Sequence, residues 1–195
     1  MLSNEFQQLM QQDTAATAKA LLGMSLLLDG AVLGRIVETE AYLGSEDSAC
    51  HSAGGRRTPK NASMYLPAGH WYVYQIYGHQ MLNLVTKGEG VAEAVLIRAL
   101  ELPDGRLLAN GPGKLTRFAG IDKHFDGQNL AASSLQLAAG RRPVQISSRP
   151  RIGVTCTDRW RDQPLGFYVA GNRHVSKISK SGLLADEDTW EKAGK

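Results

Sequence analysis

"IVETEAY", residues 36–42, has the composition of a β-strand: β-branched and aromatic residues, with neither Gly nor Pro. Alternate residues of a strand share a face, so Ile36, Glu38, Glu40 and Tyr42 point one way and Val37, Thr39 and Ala41 the other. Two carboxylates on the face of Ile36 and Tyr42 are costly if that face is buried without partners. Further on, "VLIRALE" (95–101) puts Arg98 on one face with Leu96 and Leu100, and a buried arginine needs a carboxylate. The economical arrangement sets these two strands side by side with Arg98 against an acid. Strand parity gives Glu38 and Glu40 equal standing for that role. The pair reads either as a plain buried ion pair or as a carboxylate held ionised and able to polarise a water.

Outward from this strand, "DTAATAKALLGMSLLL" (13–28) reads as a helix capped by Asp13, with Gly23 marking an end or a kink. "AVLGRIVETEAY" (31–42) reads as one or two strands, and the Gly-, Ser- and Pro-rich stretch 43–64 as loop. "HWYVYQIYG" (70–78) and "HQMLNLVT" (79–86) form a hairpin with Tyr77 and Gly78 at its tip. "AEAVLIRALEL" (92–102) is a central strand, "NGPGKLTRFAGI" (110–121) a Gly-Pro loop opening a short helix, and "SRPRIGVTC" (148–156) and "PLGFYVAG" (164–171) two more strands. Strands mostly return without an intervening helix. The expected fold is therefore α+β: one domain over residues 1–195, with a mostly antiparallel curved sheet, surrounding helices and a protruding β-hairpin.

The 195 residues suit a single domain, and 43% hydrophobic content suffices for a core. The opening "MLSNEFQQLMQQD" has neither a basic start nor an apolar run, so no signal peptide is expected, and no apolar stretch is long enough to span a membrane. Cys50 and Cys156 stand in no metal-binding spacing, which points to reduced thiols in the cytoplasm and to no metal. The last few residues are expected to be disordered. Net charge is +3, unevenly spread: residues 102–185 hold 13 Lys and Arg against 5 Asp and Glu, a balance of +8. A basic segment fits an anionic partner, usually nucleic acid, or simply a solvated surface.

Tyr42, Tyr65, Trp71, Tyr72, Tyr74 and Tyr77 crowd into one stretch, with His51, Arg56, Arg57 and Lys60 among them. Strand tyrosines commonly just pack. Interleaved with cations, they also suit base stacking and phosphate contact. A Tyr at a hairpin tip is placed to insert into something other than its own core. The turn "GPGKL" (111–115), with Lys114, exposes backbone N–H groups at a helix start and could meet one phosphate.

Together these residues resemble the alkyladenine (3-methyladenine) DNA glycosylase family. "GRIVETEAYLGSEDSACHSAGGRRTPKNASMY", "YVYQIYGHQMLNLVT", "VLIRALE" and "NGPGKLTRFAGID" follow in the order expected of it, across about residues 15 to 180. The resemblance implies a monofunctional enzyme of base excision repair, without metal or cofactor. Its substrate would be double-stranded DNA carrying damaged purines of the 3-methyladenine, 7-methylguanine, hypoxanthine and ethenoadenine class. It implies roles by position. Glu40 activates water and Arg98 helps hold it. Tyr42, His51 and Tyr74 sandwich the extruded base, and Asn83 crowds the 2-amino group of guanine. Tyr77 fills the hole left in the duplex. "GHQML", between Tyr77 and Asn83, is one residue shorter than expected of vertebrate members, which with the short N-terminus suggests a compact bacterial form. That form is expected to be monomeric, cytoplasmic and associated with the nucleoid when bound to DNA. Arg56, Arg57, Lys60 and Lys114 are candidate contacts to the DNA backbone. Two other classes compete: a module that stacks nucleic acid without chemistry, and a carbohydrate hydrolase using Glu38 and Glu40.

Overall fold

The computed structural model describes residues 13–192 together with Asn4, Gln8 and Met10. The expected disorder of the last few residues falls mainly on 193–195, outside the described residues.

Asp13 begins the continuous described stretch as a helix cap, its carboxylate accepting from the Ala16 amide at 2.9 Å. Helix α1 (Thr14–Ala20) follows and stops at Gly23, whose φ is +88°. A Cβ at Gly23 would stand 1.9 Å from the Arg141 carbonyl oxygen, so only glycine allows this close approach. Of the end or kink expected at Gly23 the structure shows an end, and the residues up to 28 that were read with the helix leave it. Ser25–Leu28 is strand β1, paired with β2 (Ala31–Tyr42) through a turn whose residues Asp29 and Gly30 both have positive φ. Asp-Gly is a hairpin signal in its own right, but it was overshadowed by the helix-favouring leucines before it.

Strands β3 (Trp71–Ile76) and β4 (His79–Val85) form the expected hairpin, and β5 (Ala94–Glu101) the expected central strand. Helix α2 (Pro112–Ala119) opens on Gly111 and closes on the left-handed Gly120. It lies against β4, where the Thr116 hydroxyl donates to the Gln80 carbonyl and Gly113 leaves just enough room for His79. Strand β6 (Leu135–Ala138) was not expected from its short "LQLA" pattern. Strands β7 (Ile146–Arg149) and β8 (Gly166–Val169) complete the sheet. The strand expected over 148–156 ends at Arg149. Pro150 lacks an N–H, Gly153 has a φ of +79°, and the Arg151 side chain and the Ile152 amide turn inward to polar partners instead of a strand ladder.

The sheet runs β3-β4-β5-β2-β1-β6, and every strand pair among the described residues is antiparallel. Strand β2 is twelve residues long and shared: Ser25–Leu28 covers its first part, Gly166–Tyr168 its last, and β5 runs along its other edge. Register shifts near Glu38 bend it there. The result is a curled sheet with a buried interior, an α+β fold as expected. Ile36, Val37, Trp71, Val73, Leu82, Ile97, Leu100, Leu115 and Trp190 build the core. Both faces of β2 from Ile36 to Ala41 are buried, so its two glutamates are interior residues.

Candidate active site

Arg98 settles between both acids. Its Nε donates to Glu38 Oε1 at 2.9 Å, and its Nη1 lies 3.1 Å from Glu40 Oε2. Strand parity predicted the meeting and left the partner open; the structure gives Arg98 both. The two carboxylates differ in what remains to them. Glu38 Oε1 also accepts from Arg149 Nη2 at 2.5 Å and from the Ser176 hydroxyl at 3.0 Å, while Oε2 takes the Ser176 amide at 2.8 Å. Glu38 thus meets four donors, three of them on Oε1.

Glu40 has a different setting. Its Oε1 accepts from the Ile152 amide at 2.6 Å and its Oε2 from the Tyr42 hydroxyl at 3.0 Å. Burial pushes its pKa above the ordinary carboxylate value. Arg98, the Ile152 amide and the Tyr42 hydroxyl pull it back, and Glu38 adds a further upward push. A carboxylate whose proton affinity is raised while its charge is still supported is a suitable general base.

Tyr42 connects Glu40 to a cavity of about 320 Å³. The Tyr42, His51, Tyr72 and Tyr74 rings line it, with Asn83, the tip residue Tyr77 and the segment from Gly153 to Cys156. The expected base-pocket residues Tyr42, His51, Tyr74 and Asn83 therefore do come together. Tyr72 joins them: it stacks on Tyr74 with centroids 5.3 Å apart, and its hydroxyl is 2.8 Å from His51 Nδ1. The His51 and Tyr74 rings meet edge to face at 4.3 Å. Burial, then the nearby Arg56 charge, lower the His51 pKa, so the ring favours its neutral form. Burial and the Glu40 charge push Tyr74 up to about 12, which keeps its hydroxyl protonated. Asn83 donates through Nδ2 to the backbone oxygens of Tyr72 and Met81, which fixes its orientation.

Tyr77 stands at the hairpin tip, 92% exposed, with φ of +48° beside Gly78 at +76°. A left-handed non-glycine residue is strained, and here it aims a large ring at solvent. The expected backbone contacts are divided. Arg56 and Lys60 line a second cavity of about 710 Å³ on the other side of the His51–Tyr72–Tyr74 wall. Arg57 lies over the Tyr65 ring at 4.8 Å, and Lys114, in the first turn of α2, donates to Asn110 Oδ1 at 3.0 Å. Sequence reading missed the loop after Cys156, where Arg159 and Arg161 are exposed and Asp158 is tied to Ser48 of the cavity wall at 2.7 Å. The "DRWR" pattern of this loop, cations around an aromatic, was the available signal. Among the described residues no group of three His, Cys, Asp or Glu is placed to hold a metal ion, and no helix is long and apolar enough to cross a membrane.

The model of a family described as methylpurine-DNA glycosylase matches residues 8–173. A protein of Staphylococcus carnosus bearing the name "Putative 3-methyladenine DNA glycosylase" is 43% identical over 197 residues, spanning 92% of this chain and 96% of that relative. Proteins of the same name from Lactiplantibacillus plantarum and Enterococcus faecalis are 40% and 39% identical, over 91% of this chain in both cases and 93% and 86% of their own lengths.

Proposed function

The chain belongs to the methylpurine-DNA glycosylase family and is a DNA N-glycosylase, and from that premise we propose that it flips a damaged purine out of duplex DNA and hydrolyses its glycosidic bond with a water activated by Glu40. The observation that carries the reading is the position of Glu40. It is a buried, arginine-supported carboxylate one hydrogen bond behind Tyr42, in the wall of an aromatic cavity whose rim bears the exposed Tyr77.

Chemistry at C1′ requires the nucleotide to leave the stack. Tyr77 enters the duplex in its place. The base lodges against Tyr42, His51, Tyr72 and Tyr74, with Asn83 at its edge. Water then gives a proton to Glu40 as its oxygen bonds to C1′, and the C1′–N bond electrons leave with the base. Positive charge grows on the sugar in the transition state, and the Glu40 carboxylate lowers its energy. A base methylated at N3 or N7 is already cationic and departs as a neutral molecule without protonation. The neutral His51 next to the cavity adds no opposing charge. No lysine lines the first cavity, so base release without strand cleavage is expected. A carbohydrate hydrolase using Glu38 and Glu40 as its two acids is disfavoured, since Glu38 is tied to two arginines and to Ser176.

The direct test is incubation with alkylated duplex DNA. Free methylated purine and abasic sites are expected; unchanged DNA would overturn the reading in favour of a binding module. Duplex affinity should also fall steeply with salt, with a slope of log K against log[salt] of about −4 if four or five phosphates are neutralised. The cations for this are Arg56, Arg57, Lys60, Lys114, Arg159 and Arg161, all exposed. A flat salt dependence would show that these charges do not meet phosphates.

A further inference from the structure

Resting on the reading of Glu40 as the base, we propose that Asp47 and Arg151 are positioning residues of the reaction: their buried ion pair holds the 151–156 segment so that the Ile152 amide stays bonded to the Glu40 carboxylate. Both side chains are fully buried, and neither lines a cavity. They therefore do not touch substrate. Their contacts reach three pieces of chain that meet behind the base pocket. Arg151 Nη1 and Nη2 donate to Asp47 Oδ2 and Oδ1 at 2.5 and 2.8 Å, a two-pronged geometry that fixes angle as well as distance. Asp47 in turn accepts from the Leu43 and Ala49 amides at 3.0 Å each, which sets the turn leading from β2 to His51. Arg151 also donates to the Ala41 carbonyl at 3.1 Å, and its guanidinium lies over the Tyr42 ring at 4.7 Å.

The next residue carries the consequence. Ile152 presents its amide to Glu40 Oε1 at 2.6 Å. A loop amide has no strand ladder to aim it; here the side chain before it does. Buried ion pairs of this kind contribute little net stability compared with apolar packing, whereas their geometry is restrictive. The remaining groups that face Glu40 are Arg98 from β5, Glu38 and Tyr42 from β2, Tyr74 from β3 and Arg151 itself. Against that fixed background the amide is the one neutral donor supplied by the 151–156 segment. An N–H donated to a carboxylate favours its ionised form, so losing it makes Glu40 hold its proton more tightly. Activity that needs ionised Glu40 then fails at a higher pH.

The test is the pH profile of single-turnover excision, with enzyme in excess, from a duplex carrying one 7-methylguanine. Two variants are compared with the parent. Asp47→Asn/Arg151→Gln removes both charges together and leaves none unpaired. Ile152→Pro removes the amide hydrogen and puts the ring Cδ in its place, and Ile152→Ala, which keeps the amide, is the control for the lost side chain. Gly153 follows at φ +79°, a setting in which Pro is favoured at the preceding turn position. Both variants are expected to move the acid limb upward by about one pH unit, the size expected when a charged acceptor loses a hydrogen bond, and to recover activity as pH rises. If the double variant does not fold, Arg151→Lys, which keeps the charge and loses the two-pronged geometry, takes its place in the comparison. Unmoved acid limbs in an active enzyme overturn the proposal. So does a shift in the double variant but not in Ile152→Pro, because the pair would then act through charge and not through the amide. A parent enzyme that releases no base sinks the glycosylase reading itself, a distinct result.

Discussion

Glu40→Gln is expected to lower single-turnover excision by about 10²- to 10⁴-fold, the usual contribution of a general base, while lesion-containing duplex is still bound. The amide keeps the shape, and its single oxygen can accept on one side, from Tyr42 and Arg98 or from Ile152, but it cannot take a proton from water. The fold should tolerate the change. Burial raises the Glu40 pKa above its ordinary value, so ionising this group opposes folding. The sign follows: relative to an unfolded chain titrating near 4.5, the parent loses stability as pH rises from that value through the raised folded pKa. Glu40→Gln lacks this loss. Denaturation midpoints of variant and parent should therefore diverge in the variant's favour as pH rises over that window, and then run parallel. Excision near the parent rate would remove Glu40 from the mechanism. Lost binding together with lost activity would mean that the variant was misfolded or that Glu40 holds the base.

Tyr77→Ala is expected to lower the flipped population, and with it excision from duplex DNA, by at least about tenfold, because unstacking costs a few kcal/mol and about 1.4 kcal/mol is one decade. Tyr77 is 92% exposed and supports little of the core, so thermal stability should be unchanged. Replacing a left-handed Tyr by Ala leaves the backbone demand at that tip as it was. Affinity for undamaged duplex should persist through phosphate contacts, which do not depend on the wedge. The defect should shrink for a lesion in single-stranded DNA, where little stacking opposes extrusion. A fluorescent base analogue at the lesion position reports flipping directly. Parent-like flipping in Tyr77→Ala would make Tyr77 a passive surface residue and turn attention to His79, beside the tip of the same hairpin and against α2.

Local rules reached far into this protein because its decisive signals are local. Period-two alternation in "IVETEAY" and "VLIRALE" put acids and arginine on facing sides of neighbouring strands. A Tyr-Gly pair between two β-rich runs is a turn, and the turn came out with both residues at positive φ. Gly-Pro before "KLTRFA" and Gly120 after it bounded a helix at both ends. Local rules failed where a longer-range contact outweighed propensity. The leucines after Gly23 have good helix propensity, yet the Arg141 carbonyl packs against Gly23 and the next residues pair with β2 and β6. "RPRIGVTC" alternates like a strand, yet its arginine finds Asp47, 104 positions earlier, and its amide finds Glu40.

The sequence by itself determined the α+β class, the hairpin with Tyr77 at its tip, and an inward acid that must meet Arg98. These follow from backbone sterics and from the cost of burying charge, which act over a few residues. Strand parity could not separate Glu38 from Glu40, since both lie on one face and both reach Arg98. The tertiary structure separated them by what else arrives. Arg149 and Ser176 bring three more donors to Glu38, while Glu40 receives one amide and one phenol beside a cavity. The chemical capacity of a buried carboxylate depends on which donors surround it, and three of those here, Arg149, Ser176 and the Ile152 amide, come from chain segments more than a hundred residues away, which no local pattern encodes.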